Sequence, residues 1–309
     1  MYFPYFRGRQ YELLALKELA NGGLLGKQII PVVEPIKLTS TFNGFVKAFT
    51  DAQLPAAVLF NPAVGELTDA PSVFEQLYSR CFSNGNVIIP SVLLNRNTER
   101  SLPLLFSKNI STSDILAVLD NRDFIGAYTN LFSSNIPKYT LCPDERQIRR
   151  AVNQSKILFE DKFNKKDRNA DYPEEEFFSD DHLFFKDDNY IGFGDYSIVG
   201  DEYIEAGFAP YAVAIHIVYF DKEDMLRICH FISDSNEDTS DVAGKYHEAV
   251  SKLAEWYSAG QQRQQTSALS IFLNHAETGY YPGLPTVKKL SIMHHLELMG
   301  KYLDGGITK

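Results

Sequence analysis

The chain is poor in the features that mark most specialised classes. Its three cysteines, Cys81, Cys142 and Cys229, are an odd number with no CxxC spacing, which argues against a disulfide framework or a zinc knuckle and for reduced thiols in a cytoplasmic protein. Long apolar runs are missing too. The longest, Ala212 to Phe220, is broken by His216 and falls well short of the roughly 20 residues a membrane helix needs. The N-terminal Met1-Tyr2-Phe3-Pro4-Tyr5-Phe6-Arg7 is too short, and lacks the basic leader, to read as a signal peptide. Positive charge is scarce: 30 Lys and Arg stand against 40 Asp and Glu, a formal net charge of -10. Such a balance argues against nucleic acid as a bulk partner, because that binding rests on neutralising phosphates. No GxGxxG follows the first strand-like run, no phosphate-loop Lys-Ser/Thr follows Gly192-Phe193-Gly194-Asp195-Tyr196, and no HExxH or HxH occurs.

What is present is a repeated alternation. Eight short apolar runs, Tyr2–Phe6, Gln28–Val33, Ala56–Phe60, Asn86–Leu93, Ile115–Leu119, Lys138–Leu141, Lys156–Phe159 and Tyr190–Phe193, read as strands buried on both faces, as in parallel sheets. Helix-period stripes lie between them. Gln10 to Ala20 ends at Gly22-Gly23, and Ser40 or Thr41 is placed to cap a helix carrying Phe42, Phe45, Val46 and Phe49. Val73, Phe74, Leu77 and Cys81 mark a third helix, Phe124, Tyr128, Leu131 and Phe132 another, and Ile148 with Val152 a short one. This pattern predicts an α/β fold, a (β/α)8 TIM-barrel-like domain. The barrel spans 1–200 and includes a polar, acidic insertion over 160–188 that reads as a lid or mobile segment. Residues 201–309 read as a β-hairpin (Tyr211–Phe220 and Met225–Ile232) and a C-terminal helical extension packing on the barrel in the same structural domain.

In a barrel the residues just past each strand form the active rim. They are Arg7 and Arg9; Glu34 with Lys37; Asn61; Asn95 and Arg96; Asp120, Asn121 and Arg122; Cys142; Glu160 and Asp161; and Asp195. Glu34, Asp120, Glu160 and Asp195 are the expected catalytic carboxylates and the candidate metal ligands, since four such groups in one basin need a cation, Arg and Lys partners or raised pKa values. Mg2+ or Mn2+, and also Ca2+, suit hard oxygen donors. Arg7, Arg9, Lys37, Asn61 and Arg122 are the expected substrate-binding groups for an anion. A plainer reading stands beside this one: Glu34 salt-bridges Arg7 or Arg9 across neighbouring strands. Cys142 reads as a buried thiol rather than a nucleophile. His216 reads as structural, His182 as able to reach the rim from the insertion, and His294-His295 as surface residues of the last helix.

The segments Tyr5-Phe6-Arg7-Gly8-Arg9-Gln10-Tyr11-Glu12 and Ile30-Pro31-Val32-Val33-Glu34-Pro35 resemble the "Beta protein" family of bacteria and phages. Phe178-Ser179-Asp180-Asp181-His182 and Gly192-Phe193-Gly194-Asp195-Tyr196 are similar to a bacterial branch of it. The resemblance covers most of the chain and implies no particular reaction. It does imply a setting among mobile-element and phage-defence genes, and so a partner protein. Two functions are therefore expected. One is a hydrolase- or lyase-type barrel enzyme, metal-assisted or acid/base, acting on an anionic small molecule such as a phosphoester. The other is a non-catalytic component of a defence system that docks through the C-terminal helices, with Trp256, Tyr257 and Phe272 as anchors.

Overall fold

The computed structural model describes residues 1–68, 71–83, 85, 87–204, 209–260 and 265–305; Asn86, the first residue of the fourth apolar run, lies outside them. The chain divides into two compact units. One comprises Met1–Gly23, Gln28–Asp161 and Asp181–Tyr196, the other Leu24–Lys27, Lys162–Asp180 and Ser197–Lys309.

All eight apolar runs of the first unit overlap a strand of one parallel sheet, the sixth and eighth each ending one residue short of it. The first seven are β1 (Tyr5–Phe6), β2 (Val32–Val33), β3 (Ala56–Leu59), β4 (Ile88–Leu93), β5 (Leu116–Val118), β6 (Tyr139–Cys142) and β7 (Lys156–Phe159). The chain then leaves to form β8 (Glu175–Ser179) elsewhere and returns as β9 (Gly192–Gly194), so the sheet order is β1-β2-β3-β4-β5-β6-β7-β9. The sheet nearly closes on itself. Phe3 N donates to Phe193 O and Tyr5 N to Asp195 O, each at 2.8 Å, and Tyr2 bridges Ile29 on one side and Phe193 on the other.

Alternate residues fill the interior, as a period of two requires. Phe3 and Tyr5, Ile30 and Val32, Ala57 and Leu59, Leu116 and Val118, and Ile157 and Phe159 belong to one buried cluster with Tyr196. Gly192 and Gly194 take the corresponding inward positions on β9. A Cβ on Gly194 would run into the carbonyl oxygen of Phe3, so this seam admits only glycine without a backbone shift.

Helices follow the strands: α1 (Gln10–Asn21), α2 (Ser40–Ala52), α3 (Pro71–Phe82), α4 (Thr98–Ser107), α5 (Ile125–Phe132) and α6 (Arg146–Ala151). The α2 cap is Thr39, whose Oγ1 accepts from Phe42 N at 3.2 Å, one residue earlier than the expected Ser40 or Thr41. Phe42, Phe45 and Phe49 are fully buried along its stripe. The unforeseen α4 contains Pro103, a residue that normally ends a helical reading.

The insertion over 160–188 is not a single lid. Its middle is β8, which pairs antiparallel with β11 (Leu226–Ile232), itself paired with β10 (Ala214–Phe220), in a three-stranded sheet of order β10-β11-β8. A short helix, α7 (Asp181–Phe184), follows in the first unit. Each aromatic pair divides its faces: Phe178 and Phe185 are buried while Phe177 and Phe184 are exposed. The β10–β11 turn is held by Asp221 Oδ1, which accepts from Glu223 N and Met225 N, both at 2.9 Å.

Three helices complete the second unit: α8 (Val242–Ser258), α9 (Ser267–Thr278) and α10 (Leu284–Leu303). The expectation that His294 and His295 lie on a surface is wrong; both are 0% exposed. His294 bonds Thr266 Oγ1 and Val218 O, each at 2.8 Å, and His295 bonds Ser197 Oγ at 2.8 Å. Burial pushes His294 down to about 4 and His295 to about 3. Above the ordinary histidine value of 6.5 both rings are neutral in either state. Below it the unfolded chain takes up protons that the folded chain refuses, so stability falls as pH drops towards about 4. Denaturant midpoints across that window should therefore decline ahead of the carboxylate range; a midpoint flat from pH ~7 to ~5 would contradict this burial. Among the described residues no helix is long and apolar enough to cross a membrane.

Candidate functional site

The alternation that fills the barrel also decides which rim residues face its mouth. Continuing each inward series by two residues past the strand gives Arg7 after Tyr5, Glu34 after Val32, Asn61 after Leu59, Asp120 after Val118 and Asp161 after Phe159. Tyr196 is already in the buried interior cluster.

Glu34 is the centre of this group and is 0% exposed. Its Oε2 accepts from Tyr5 Oη at 2.7 Å and pairs with Arg7 Nη1, and its Oε1 accepts from Ala63 N at 2.6 Å. The plainer sequence reading, a salt bridge from Glu34 to Arg7, is thus what the fold builds. Arg7 also lies over two rings, 5.3 Å from the centre of Tyr5 and 5.5 Å from that of Tyr196. Burial works against its charge, and the Glu34 carboxylate opposes that and holds the guanidinium protonated. Burial and the Glu34 charge keep the Tyr5 hydroxyl far above its usual range, a neutral donor. Gly8 supplies the turn behind Arg7. Its φ is +62°, and a Cβ there would sit 2.8 Å from Glu34 O.

Asp120 stands at the solvent-open side of the same group. Partial burial pushes its carboxyl above the usual range; its own backbone N–H and Arg7 draw it down, and Glu34 raises it again. Asn61 turns to its neighbours instead. Its Nδ2 donates to Leu93 O at 2.7 Å and its Oδ1 accepts from Leu93 N at 2.8 Å, with Asn95 beside it at 3.3 Å. It braces β4 rather than the mouth.

The four-carboxylate basin is not assembled. Glu160 and Asp195 fall on the opposite parity from the interior. Asp195 accepts from Tyr2 Oη at 2.7 Å, and Tyr2 stacks on Phe193 outside the interior cluster. Glu160 accepts from Asp144 N at 3.3 Å. Among the described residues no group of three or more His, Cys, Asp or Glu could hold a metal ion, so the proposed ligand set for Mg2+ or Mn2+ has no geometric support. The expected substrate clamps disperse as well. Arg9 bonds Glu12 at the start of α1, Lys37 forms an exposed pair with Glu66 at 2.8 Å, and Arg122 is exposed in the 3-10 turn that leads into α5. Cys142 lies inside β6, buried, its thiol pushed up to about 12. His182 is buried beside Phe193.

Tyr5 and Tyr196 are the residues of this cluster that a reading of strand ends passes over. The signal was available: both share the parity of Arg7 and Glu34. The chain matches no protein-family model, no curated protein and no solved structure.

Proposed function

We propose that the protein is a (β/α)8 TIM-barrel enzyme that acts on a small anionic substrate at the mouth formed by Arg7, Tyr5, Tyr196 and Asp120. The observation that carries this reading is the pre-oriented Arg7. Glu34 fixes its guanidinium, two tyrosine rings flank it, and its side chain is still 15% exposed. A planar donor held in this way suits a carboxylate or a phosphoryl group. Asp120 is the proton-transfer group, because a carboxyl raised towards neutrality serves as general acid or base better than an ordinary one. Glu34, with both oxygens engaged, acts as a positioning residue rather than the base. Tyr5, Arg7 and Glu34 of this cluster lie in the stretches that resemble the Beta protein family, Tyr5 to Glu12 and Ile30 to Pro35.

The test is a thermal-shift screen of small carboxylates and phosphoesters. Some members should stabilise the wild type and Asp120→Asn but not Arg7→Lys, which keeps the charge and loses the planar fork. Turnover of a stabilising compound should vanish in Asp120→Asn. A screen in which no anion stabilises the wild type would end the proposal. Asp120→Asn should also melt higher than wild type near neutral pH. A carboxyl raised on folding costs stability once pH exceeds its folded value and costs nothing below its ordinary 3.8, so the gain should disappear in acid.

A second reading, a non-catalytic partner in a phage-defence or mobile-element system, is favoured by the exposed Tyr211, Ile271 and Tyr280 of the second unit. Phe272 cannot be an anchor for it, being 0% exposed. On this reading Arg7→Lys and Asp120→Asn would leave the cellular phenotype intact.

A further inference from the structure

The second unit holds a groove of about 550 Å3 beside β8, the end strand of its sheet, within the ~300–1,000 Å3 span of small-ligand sites. Trp256 and Lys252 of α8 line it, with Phe231 and Cys229 of β11 and with Glu174 and Asp234. The aromatic wall is packed: Trp256 meets Tyr219 and Phe231 edge to face, at 5.5 Å and 5.6 Å.

The charges in the groove are not equally engaged. Lys252 Nζ is taken by Asp234 at 2.6 Å and Ile232 O at 2.8 Å. Glu175, at the same wall, is taken by Arg227 and by Tyr219 Oη at 2.7 Å. The Glu174 carboxylate makes no hydrogen bond or ion pair among the described residues. The Cys229 thiol lies in the same wall. It is pushed up to about 12 by burial first, with Glu175 and Glu174 adding and Arg227 opposing.

We propose that this groove binds an organic cation, an alkylammonium or guanidinium group, with its charge on Glu174 and its carbon stem against Trp256. Carboxylate and aromatic face are the pair that recognises such groups. The same chemistry comes either from a free amine or from a Lys or Arg side chain of another protein.

Trp256 is the only tryptophan of the chain, so its fluorescence reports this groove directly. Spermidine, agmatine and an acetylated, amidated Lys-Val-Lys-Val peptide should be titrated, with glutarate as the anionic control and calorimetry as a second readout. A saturable response to an amine or to the peptide is expected, weakened about tenfold in Glu174→Gln, the usual worth of a charge-assisted contact. Asp120→Asn, altered at the barrel mouth, should bind the cation as wild type does, which separates this site from the proposed active site. Response to the peptide but not to free amines would assign the source to a protein side chain. No saturable response in either readout, equal binding by Glu174→Gln, or equal binding of glutarate would overturn the proposal.

Discussion

Glu34→Ala lowers the thermal midpoint by roughly 10 °C, the largest single-site effect expected in the barrel. The substitution strands three donors at once: the Arg7 guanidinium, Tyr5 Oη and Ala63 N all lose their acceptor in a place where Glu34 itself is 0% exposed. Removing one partner of a buried pair costs about 3–5 kcal/mol, because the charge left behind is uncompensated. In a domain of this size each kcal/mol moves the midpoint by about 2–4 °C. Glu34→Gln, which keeps an acceptor oxygen, should fall in between. The double variant Arg7→Met with Glu34→Leu should recover much of the loss, since a buried pair is often replaceable by apolar groups as a unit. Calorimetry on the four proteins reads all of this. A Glu34→Ala variant melting within about 2 °C of wild type would mean that Arg7 finds water on losing its partner, contrary to the burial described.

Gly194→Ala should destabilise by about 3 kcal/mol or more, the upper range of overpacking effects. The added methyl points into the barrel and meets the backbone of Phe3. Backbone on a closing seam cannot rotate away as a flexible side chain would. The shift would open the Phe3–Phe193 and Tyr5–Asp195 hydrogen bonds and displace Tyr196, two residues on, from the face of Arg7. On the proposed function, activity at the mouth should fall with stability. Gly126→Ala is the matched control. Gly126 lies in α5 with no atom within 4 Å of the new Cβ, so alanine there should be neutral or stabilising by about 0.5–1 kcal/mol. Chemical denaturation of the two variants should bracket the wild type. Equal stability of all three would show that the seam is looser than its geometry.

The barrel was legible because its strands are buried on both faces: Ala56 to Leu59 or Leu116 to Val118 cannot be mistaken for a half-exposed strand. The candidate site was half legible. Strand ends led to Arg7, Glu34 and Asp120. The grouping with Glu160 and Asp195 failed because proximity to a strand end was weighed without the alternation that turns successive side chains to opposite faces. The strand β8 was hidden for a different reason. Glu174-Glu175-Glu176 looks like a solvated acidic run, and what makes it sheet is a register with Leu226 to Cys229, some 50 positions later. His294 and His295 were misplaced because Leu290, Met293, Leu296 and Met299 already make one apolar stripe. The polar residues between them are buried only because Thr266, Ser197, Ser267 and Val218 O arrive from other elements to satisfy them.

The detour of the chain through β8 also bears on how the protein is made. A ribosome delivers about 5–20 residues per second, so β8 emerges a few seconds before the strand it pairs with. During that interval Phe177 and Phe178 have no sheet to join, while the residues of β9 that follow are already free to close the barrel against Tyr2. The barrel can thus be finished around an unfolded loop, and the second sheet must then be completed by a segment tethered at both ends. Slowed translation between Ser179 and Leu226 would lengthen the exposure of that segment, and nascent chains arrested there are where a chaperone or a protease would find it.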